Sequence, residues 1–159
     1  MPLILLLAFF PGAQVAPAPK IDVIRAQYSW GYIGNDGEGK GTLTVLVDST
    51  TGQVVLELFG LGERLMLLEG DPAKGYRVQI PRQKLDETSP KLSGLPLPFL
   101  PQISTPAGLR ALVIDGTGPN VKVTKKDAKG PVKLKYQGKD DRGKEILVWL
   151  QRTRLDVAD

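Results

Sequence analysis

The sequence predicts one mainly β domain: a curved antiparallel sheet covered by a helix and a proline-rich segment. Three observations predict it. Runs of β-branched and leucine residues recur about every 10–12 residues between glycine-rich turns, as in a β-meander. A proline-rich but apolar stretch followed by a helix signal interrupts these runs once. Finally, 159 residues, of which 42% are hydrophobic, are enough for one domain with its own core.

The first nineteen residues have the pattern of a secretory signal peptide. Leu3–Phe10 is an unbroken apolar run, shorter than the roughly 20 residues of a membrane-spanning helix. Small residues and prolines follow it, and Ala16–Ala18 has the small-x-small form of a cleavage site, although no Lys or Arg precedes the run. A buried first strand and a misassigned start codon are the alternatives. We expect a signal peptide over 1–19 and a single exported β-rich ligand-binding domain over 20–159, periplasmic or otherwise outside the cytoplasm and soluble, because no cysteine is present for lipid anchoring.

The first half of the exported domain predicts consecutive strands. Ile21–Ile33 is rich in β-branched and aromatic residues and is either a strand or a short amphipathic helix leading into one. Gly34–Gly41 has the Gly, Asn and Asp content of a hairpin turn. Strands joined by short turns are then predicted over 42–48, 53–59, 64–69 and 76–80.

The middle of the chain predicts a cover for the sheet. Lys84–Pro106 contains five prolines, which excludes a central strand, yet its many large apolar residues favour packing over disorder. Thr105 can cap a helix whose first residue is Pro106 and which ends near Asp115, before Gly116. Such a helix presents three apolar side chains on one face: Leu109, Leu112 and Val113.

Strand patterns return in the last third. Val121–Val123 is followed by a polar turn over 125–130, and Val132–Tyr136 alternates apolar and lysine residues. Glu145–Leu150 is apolar on both faces, so we expect it inside the sheet or covered on both sides.

The composition argues against an enzyme and against a cofactor. The chain has no Cys and no His, which removes thiolate nucleophiles, cysteine-ligated metals and the commonest general base. Two carboxylate pairs, Asp86–Glu87 and Asp140–Asp141, lie in polar connections where turns alone explain them. The spacing Gly34-x4-Gly39-Lys40 resembles a phosphate-binding loop, but glycine stands where Ser or Thr should follow the lysine. We expect no catalytic residue, no metal and no cofactor.

Positive charge is concentrated in the last third of the chain. Val121–Arg154 carries eleven Lys or Arg and four Asp or Glu, a net of +7, within a chain of net +4. This segment either faces an anionic partner or forms a solvated strand face whose lysines protect a sheet edge. Aromatic stacking platforms are few there, so a nucleic-acid-binding β-barrel is the less favoured interpretation, and we expect no nucleic-acid partner.

The apolar content of the strands allows two interpretations. Together with the leucines of 92–103, it is sufficient either for a sheet and lid that enclose a cavity or for an ordinary filled core. Periodicity alone does not separate the two. The filled-core alternative corresponds to an envelope module that binds another protein or a polymer.

Four segments resemble the LolA/LolB type of bacterial outer-membrane lipoprotein localisation proteins. They are Leu56–Gly62, Leu65–Gly70, Tyr76–Pro81 and Pro106–Gly116, and the order of elements over 39–155 is also similar. The resemblance implies an unclosed antiparallel half-barrel with a lid over a hydrophobic cavity for acyl chains. The chain lacks the anchoring cysteine of LolB, so a soluble carrier is the closer role. It also has no clear equivalent of the arginine that holds the lid in LolA-type carriers.

This resemblance gives the candidate function and site. The function is non-catalytic transport of lipid or lipoprotein acyl chains towards the outer membrane, with a membrane surface or envelope proteins as further partners. Candidate residues of the cavity wall are Leu43, Val45, Val47, Leu56, Leu58, Leu67 and Trp149. Candidate residues of the lid or cavity rim are Leu95, Leu97, Phe99 and Leu100.

Overall fold

A computed structural model describes residues 23–96, 104–139 and 142–158. In this part the chain forms nine strands and one α-helix. The elements are β1 (Val23–Gly34), β2 (Gly37–Asp48), β3 (Val54–Gly60), β4 (Glu63–Asp71), β5 (Gly75–Ile80), β6 (Leu85–Ser89), α1 (Pro106–Asp115), β7 (Val121–Asp127), β8 (Gly130–Lys139) and β9 (Glu145–Ala158). Two short 3-10 segments, Pro81–Gln83 and Leu92–Gly94, flank β6.

The nine described strands form one antiparallel sheet that does not close into a barrel. Their order is β6-β5-β4-β3-β2-β1-β9-β8-β7, so β6 and β7 are the two edges. The predicted class, a mainly β half-barrel of antiparallel strands, is confirmed. The last strand, β9, lies beside the first, and β1 is therefore hydrogen-bonded on both sides.

One face of the sheet, here called the covered face, holds the core. Alternate residues of β1 are buried from Ile24 to Trp30, and those of β2 from Leu43 to Val47, as expected for strands with one covered side. The buried side chains of α1 and of Leu92 and Leu95 belong to the same apolar cluster. The opposite side, here called the outer face, carries most of the polar residues of the central strands.

The predicted helix is confirmed, including both of its ends. The hydroxyl of Thr105 accepts a hydrogen bond from the backbone N–H of Gly108 at 3.0 Å, and Pro106 is the first helical residue. Gly116 ends the helix in the left-handed conformation, with φ 67°. Leu109, Leu112 and Val113 are its buried residues, as predicted.

The glycine-rich segment after β1 differs from the prediction. Only Asn35 and Asp36 form the turn, while Gly39 and Gly41 lie within β2. A Cβ on Gly41 would overlap the carbonyl oxygen of Phe59, and the indole N–H of Trp30 donates to that same oxygen at 2.9 Å. These glycines leave room for the stacked rings of Trp30 and Tyr32, whose centroids are 6.1 Å apart. They are packing glycines rather than turn glycines.

The structure also decides between two alternatives for the first element, shortens one predicted turn, adds one strand and extends another. For 21–33 the sequence leaves strand and helix open, and 23–34 is a strand. The polar turn expected over 125–130 is confined to Ala128 and Lys129. β6 lies within the proline-rich region, where the prolines exclude only central strands, and it is an edge strand. Glu145–Leu150 lies inside the sheet as predicted, but its strand continues to Ala158.

We expect Gly41→Ala to be far more destabilising than Gly39→Ala. The added methyl at position 41 meets backbone, which cannot move without separating β2 from β3, and a loss of about 3 kcal/mol is typical of such overpacking. At position 39 the methyl meets a half-exposed side chain, the ring of Tyr32, rather than backbone, so only about 1 kcal/mol should be lost. Urea denaturation of both variants measures the difference. Equal losses would contradict this account of the glycines.

Candidate functional site

The covered face of the sheet is the candidate site. Strand register aligns Ala26, Val45, Leu56, Leu68 and Val78 in one row that crosses β1 to β5. None of these five side chains is more than 2% exposed. A second row contains Tyr28 with three aliphatic side chains: Leu43, Leu58 and Met66. The result is an apolar surface that extends over five strands.

Five of the residues predicted for the cavity wall lie on this face. They are Leu43, Val45, Val47, Leu56 and Leu58, all buried. The other two, Leu67 and Trp149, are half-buried on the outer face. In both strands apolar residues occupy consecutive positions, so the pattern does not show which face is covered. Met66 and Leu68, the neighbours of Leu67 that do face the core, are therefore missing from the residues predicted by sequence.

The cover consists, in its described part, of α1 and the 3-10 turn before it. The apolar cluster that contains the sheet rows also includes Leu92 of the turn, Leu95 directly after it, and three residues of α1: Leu109, Leu112 and Val113. Leu95 is one of the predicted lid residues, and it is buried here. The other predicted lid residues, Leu97, Phe99 and Leu100, lie outside the described residues, as does the predicted signal peptide.

The C-terminal end of α1 is seated closely on β7 and β8. A Cβ on Gly116 would overlap a methyl group of Val123 and lie 3.1 Å from a methyl group of Leu134. Because Gly116 also has positive φ, only glycine meets both requirements well. This end of the cover is therefore held against the hairpin of β7 and β8.

A buried arginine fixes that hairpin to the rest of the sheet. The side chain of Arg152 is 5% exposed, and its guanidinium donates to the carboxylate of Asp127 at 2.6 Å and to the carbonyl of Pro131 at 2.9 Å. The β1–β9 pairing has a bulge after Arg152, so both Arg152 and Leu155 lie on the covered side. Sequence reasoning misses Arg152, since nothing in its neighbourhood marks it as buried.

Arg152 also lies near the phenol of Tyr28. Burial raises the pKa of Tyr28 to about 12, and the positive charge of Arg152 offsets only part of that increase. The phenol therefore stays neutral throughout the physiological range. It is a polar group at the end of an apolar face rather than an ionised base.

The acidic residues that the structure describes are mostly engaged in turns and ion pairs. Asp86, one of the predicted carboxylate candidates, has its pKa lowered chiefly by hydrogen bonds from Arg77, and Asp36 pairs with Arg142 and Lys144. Across 23–96, 104–139 and 142–158, no three potential ligand residues come together in a way that would hold a metal ion. Asp140 and Asp141 lie outside the described residues.

The chain matches no protein-family model and no curated protein. Within its described part, no helix is long and apolar enough to cross a membrane. The function is therefore inferred from the apolar face, its cover and the charges around them.

The Asp127–Arg152 pair should make stability depend on acid pH. Hydrogen bonding from Arg152 lowers the pKa of Asp127 below its ordinary 3.8 in the folded protein. The pair therefore stabilises the fold above that ordinary value, and this stabilisation is lost as the pH falls through the lowered pKa. We expect Asp127→Asn to lower the urea midpoint at pH 7 and to weaken its dependence on pH below 4.

Asp86→Asn is the matched control for that experiment. Its ion pair with Arg77 is half-exposed on both sides, so removing the carboxylate leaves no buried charge. Its urea midpoint at pH 7 should fall much less than that of Asp127→Asn. Equal decreases would mean that the burial of Arg152 has no energetic consequence.

Proposed function

We propose that this protein is a non-catalytic carrier that binds acyl chains of lipids or lipoproteins on the covered face of its sheet. The observation that supports the proposal is the apolar surface that crosses five strands beneath a small cover. The hydrocarbon tail of an acyl chain has no hydrogen-bonding groups, so it can bind to an apolar surface without leaving a polar group unpaired. The bound chain would take the place now occupied by the side chains of the cover.

The cover is the part of the fold best suited to move. α1 has ten residues, and isolated helices shorter than about 12–15 residues are only marginally stable in water. Its attachment to the sheet consists of three buried side chains and the closely packed end at Gly116, whereas the central strands are hydrogen-bonded to neighbours on both sides. Elements with few buried contacts open locally at lower free energy than a central sheet does. The sheet can therefore persist while the cover is displaced.

The proposed binding needs no covalent chemistry. Each methylene group that leaves water gains about 0.8 kcal/mol, and displacement of the cover offsets part of that gain. The return of the cover to the sheet would favour release of the chain to an acceptor. Under this proposal the protein works outside the cytoplasm, as the signal-peptide pattern predicts, and lipoprotein transport to the outer membrane is the role that the resemblance implies.

An exposed leucine at the turn between β3 and β4 supports contact with a membrane. Leu61 is 84% exposed and has φ 55°, a conformation that costs a large side chain about 1 kcal/mol or more. Phe59, two residues before it in the chain, is also exposed. Exposed apolar groups held in an unfavourable conformation are typical of functional contacts. We propose that this turn inserts into the lipid surface from which the acyl chain is taken.

Fatty acids of increasing length test the carrier proposal on the unmodified protein. From octanoate to laurate the affinity should rise about fourfold per methylene group, because each one contributes about 0.8 kcal/mol when buried. Bound laurate should also accelerate hydrogen exchange of the amides of α1 while the amides of β1 to β3 stay protected. Calorimetry and exchange mass spectrometry measure the two effects. Binding that leaves the exchange of α1 unchanged would place the ligand elsewhere.

Two leucines on opposite faces supply a matched pair of variants. Leu58→Gln changes the covered face and Leu67→Gln the outer face, on the neighbouring strands β3 and β4. We expect laurate affinity to fall at least about tenfold in the first variant, since a buried leucine contributes about 1.5–3 kcal/mol, and to stay unchanged in the second. The reverse order, or no uptake by any variant or by the unmodified protein, would favour a permanently filled core.

Leu61→Asn tests the proposed membrane contact. Asparagine tolerates positive φ, so folding stability should be preserved. Uptake of acyl chains from phospholipid vesicles should slow about tenfold, since insertion of one leucine contributes about 1.5–3 kcal/mol, while affinity for free laurate should not change. Val157→Asn, at another exposed apolar residue, is the control. Equal transfer rates in both variants would exclude the turn from membrane contact.

A further inference from the structure

A second feature lies on the outer face of the sheet, away from the proposed acyl-chain site. Register places Lys122 of β7 opposite Lys135 of β8, and Lys135 opposite Trp149 of β9. In the adjacent row, Lys125 of β7 lies opposite Lys133 of β8, and Lys133 opposite Gln151. The four lysines and Trp149 are here called the lysine–tryptophan face.

The indole of Trp149 packs against the backbone of β1 at Gly31. A Cβ on Gly31, the residue paired with Trp149, would overlap three atoms of the indole ring. Gly31 therefore makes room for the ring to rest on the strand. Trp149 is half-buried, so part of the ring stays accessible on the outer face. Part of the ring is thus covered by β1, and its accessible part can pack against another ring or a sugar.

The positions of these lysines destabilise the sheet. Two pairs of like charges stand directly opposite each other, which destabilises a sheet. Protection of a sheet edge explains lysines on β7, but β8 is hydrogen-bonded on both sides and is not an edge. Among the described residues, no carboxylate forms an ion pair with any of the four lysines. Their charge is therefore available to an external anion.

A cleft of about 260 Å³ lies beside the indole on this face. Its lining includes Thr124, Lys133, Lys135, Trp149 and Gln151. The cleft thus combines cations, an aromatic surface, an amide and a hydroxyl. The C–H groups of a sugar ring carry partial positive charge and pack favourably on the negative face of an aromatic ring. The amide and hydroxyl suit sugar hydroxyl groups, and the lysines suit carboxylate or phosphate substituents.

We propose that the lysine–tryptophan face binds an anionic polysaccharide, with one sugar ring on Trp149 and its acidic groups on the surrounding lysines. The alternation of lysines along β7 and β8 offers contacts to successive units of such a polymer. This site is independent of the carrier proposal, because it uses the opposite face of the sheet. A carrier that also bound an envelope polysaccharide would be retained near the surface it serves.

Other anionic partners suit this face less well. Single-stranded nucleic acid is usually bound by several stacking aromatics, but among the described aromatic residues Tyr28, Trp30, Tyr32 and Tyr136 occupy positions on the covered side. An anionic membrane surface is usually bound through apolar groups that insert, whereas the indole of Trp149 is half-buried against β1. A polymer of acidic sugars can contact both the one accessible aromatic ring of this face, Trp149, and the positive charges of its lysines.

Oligogalacturonate, a chain of carboxylated sugar rings, is the probe for this proposal. The protein has two tryptophans, and Trp30 is buried, so fluorescence changes on binding report mainly on Trp149. We expect quenching on titration, an affinity that falls as salt screens the lysines, and no response to neutral dextran. The double variant Lys133→Gln/Lys135→Gln should weaken binding about tenfold, from the loss of two exposed charge contacts.

The matched control is Lys74→Gln/Lys91→Gln, which removes the same charge from exposed positions outside the face. The affinity of this control for oligogalacturonate should change less than about twofold. Trp149→Leu keeps every charge, and its affinity for oligogalacturonate, measured by calorimetry, should fall about tenfold. If both double lysine variants weakened oligogalacturonate binding equally, or if the protein bound polyglutamate as tightly as oligogalacturonate, specific binding of sugar rings would be overturned. Tighter binding of oligo(dT) or of phosphatidylglycerol vesicles would replace the polysaccharide with that partner, and no binding at low salt would remove the site.

Discussion

The structure depends on the position of β1, which is hydrogen-bonded to β2 on one side and to β9 on the other. This pairing joins the meander of β1 to β6 with the hairpin of β7 and β8 in one sheet. It also gives each tryptophan a glycine to rest on, Gly41 for Trp30 on the covered face and Gly31 for Trp149 on the outer face. Both proposed binding surfaces therefore meet at β1, one on each side.

The two faces of the sheet differ in whether another part of the chain covers them. The covered face is apolar across five strands and is shielded by α1 and by the 3-10 turn that follows β6. Neither α1 nor this turn is paired with a described strand, so their displacement would leave the pairing of the nine described strands intact. The lysine–tryptophan face needs no cover, because its lysines and Gln151 are polar and the indole of Trp149 packs against β1. A ligand on the first face would replace protein contacts, whereas a ligand on the second would add to them.

Much of this fold can be predicted from local sequence. Alternation in Val132–Tyr136 and the cap of Thr105 with the stop at Gly116 are enough to predict β8 and α1. The sequence prediction for Leu67 and Trp149 is wrong about the face because their neighbours are apolar too, and only pairing with adjacent strands fixes the phase. In sequence, Gly39 and Gly41 resemble turn residues. Their role is to leave room for aromatic rings of β1, and this becomes visible only once β1 and β2 are paired. Arg152 escapes prediction for the same reason: its partners, Asp127 and Pro131, are distant in sequence.

Native mass spectrometry of the protein isolated from an exporting host, followed by lipid extraction, tests the central claim most directly. If the covered face carries acyl chains, the protein should retain a bound mass that contains an acyl chain, or take one up from a lipid donor in a one-to-one complex. Laurate in excess should displace it. A protein of unmodified mass that takes up no acyl chain from any donor would contradict the claim and leave the covered face as a filled core.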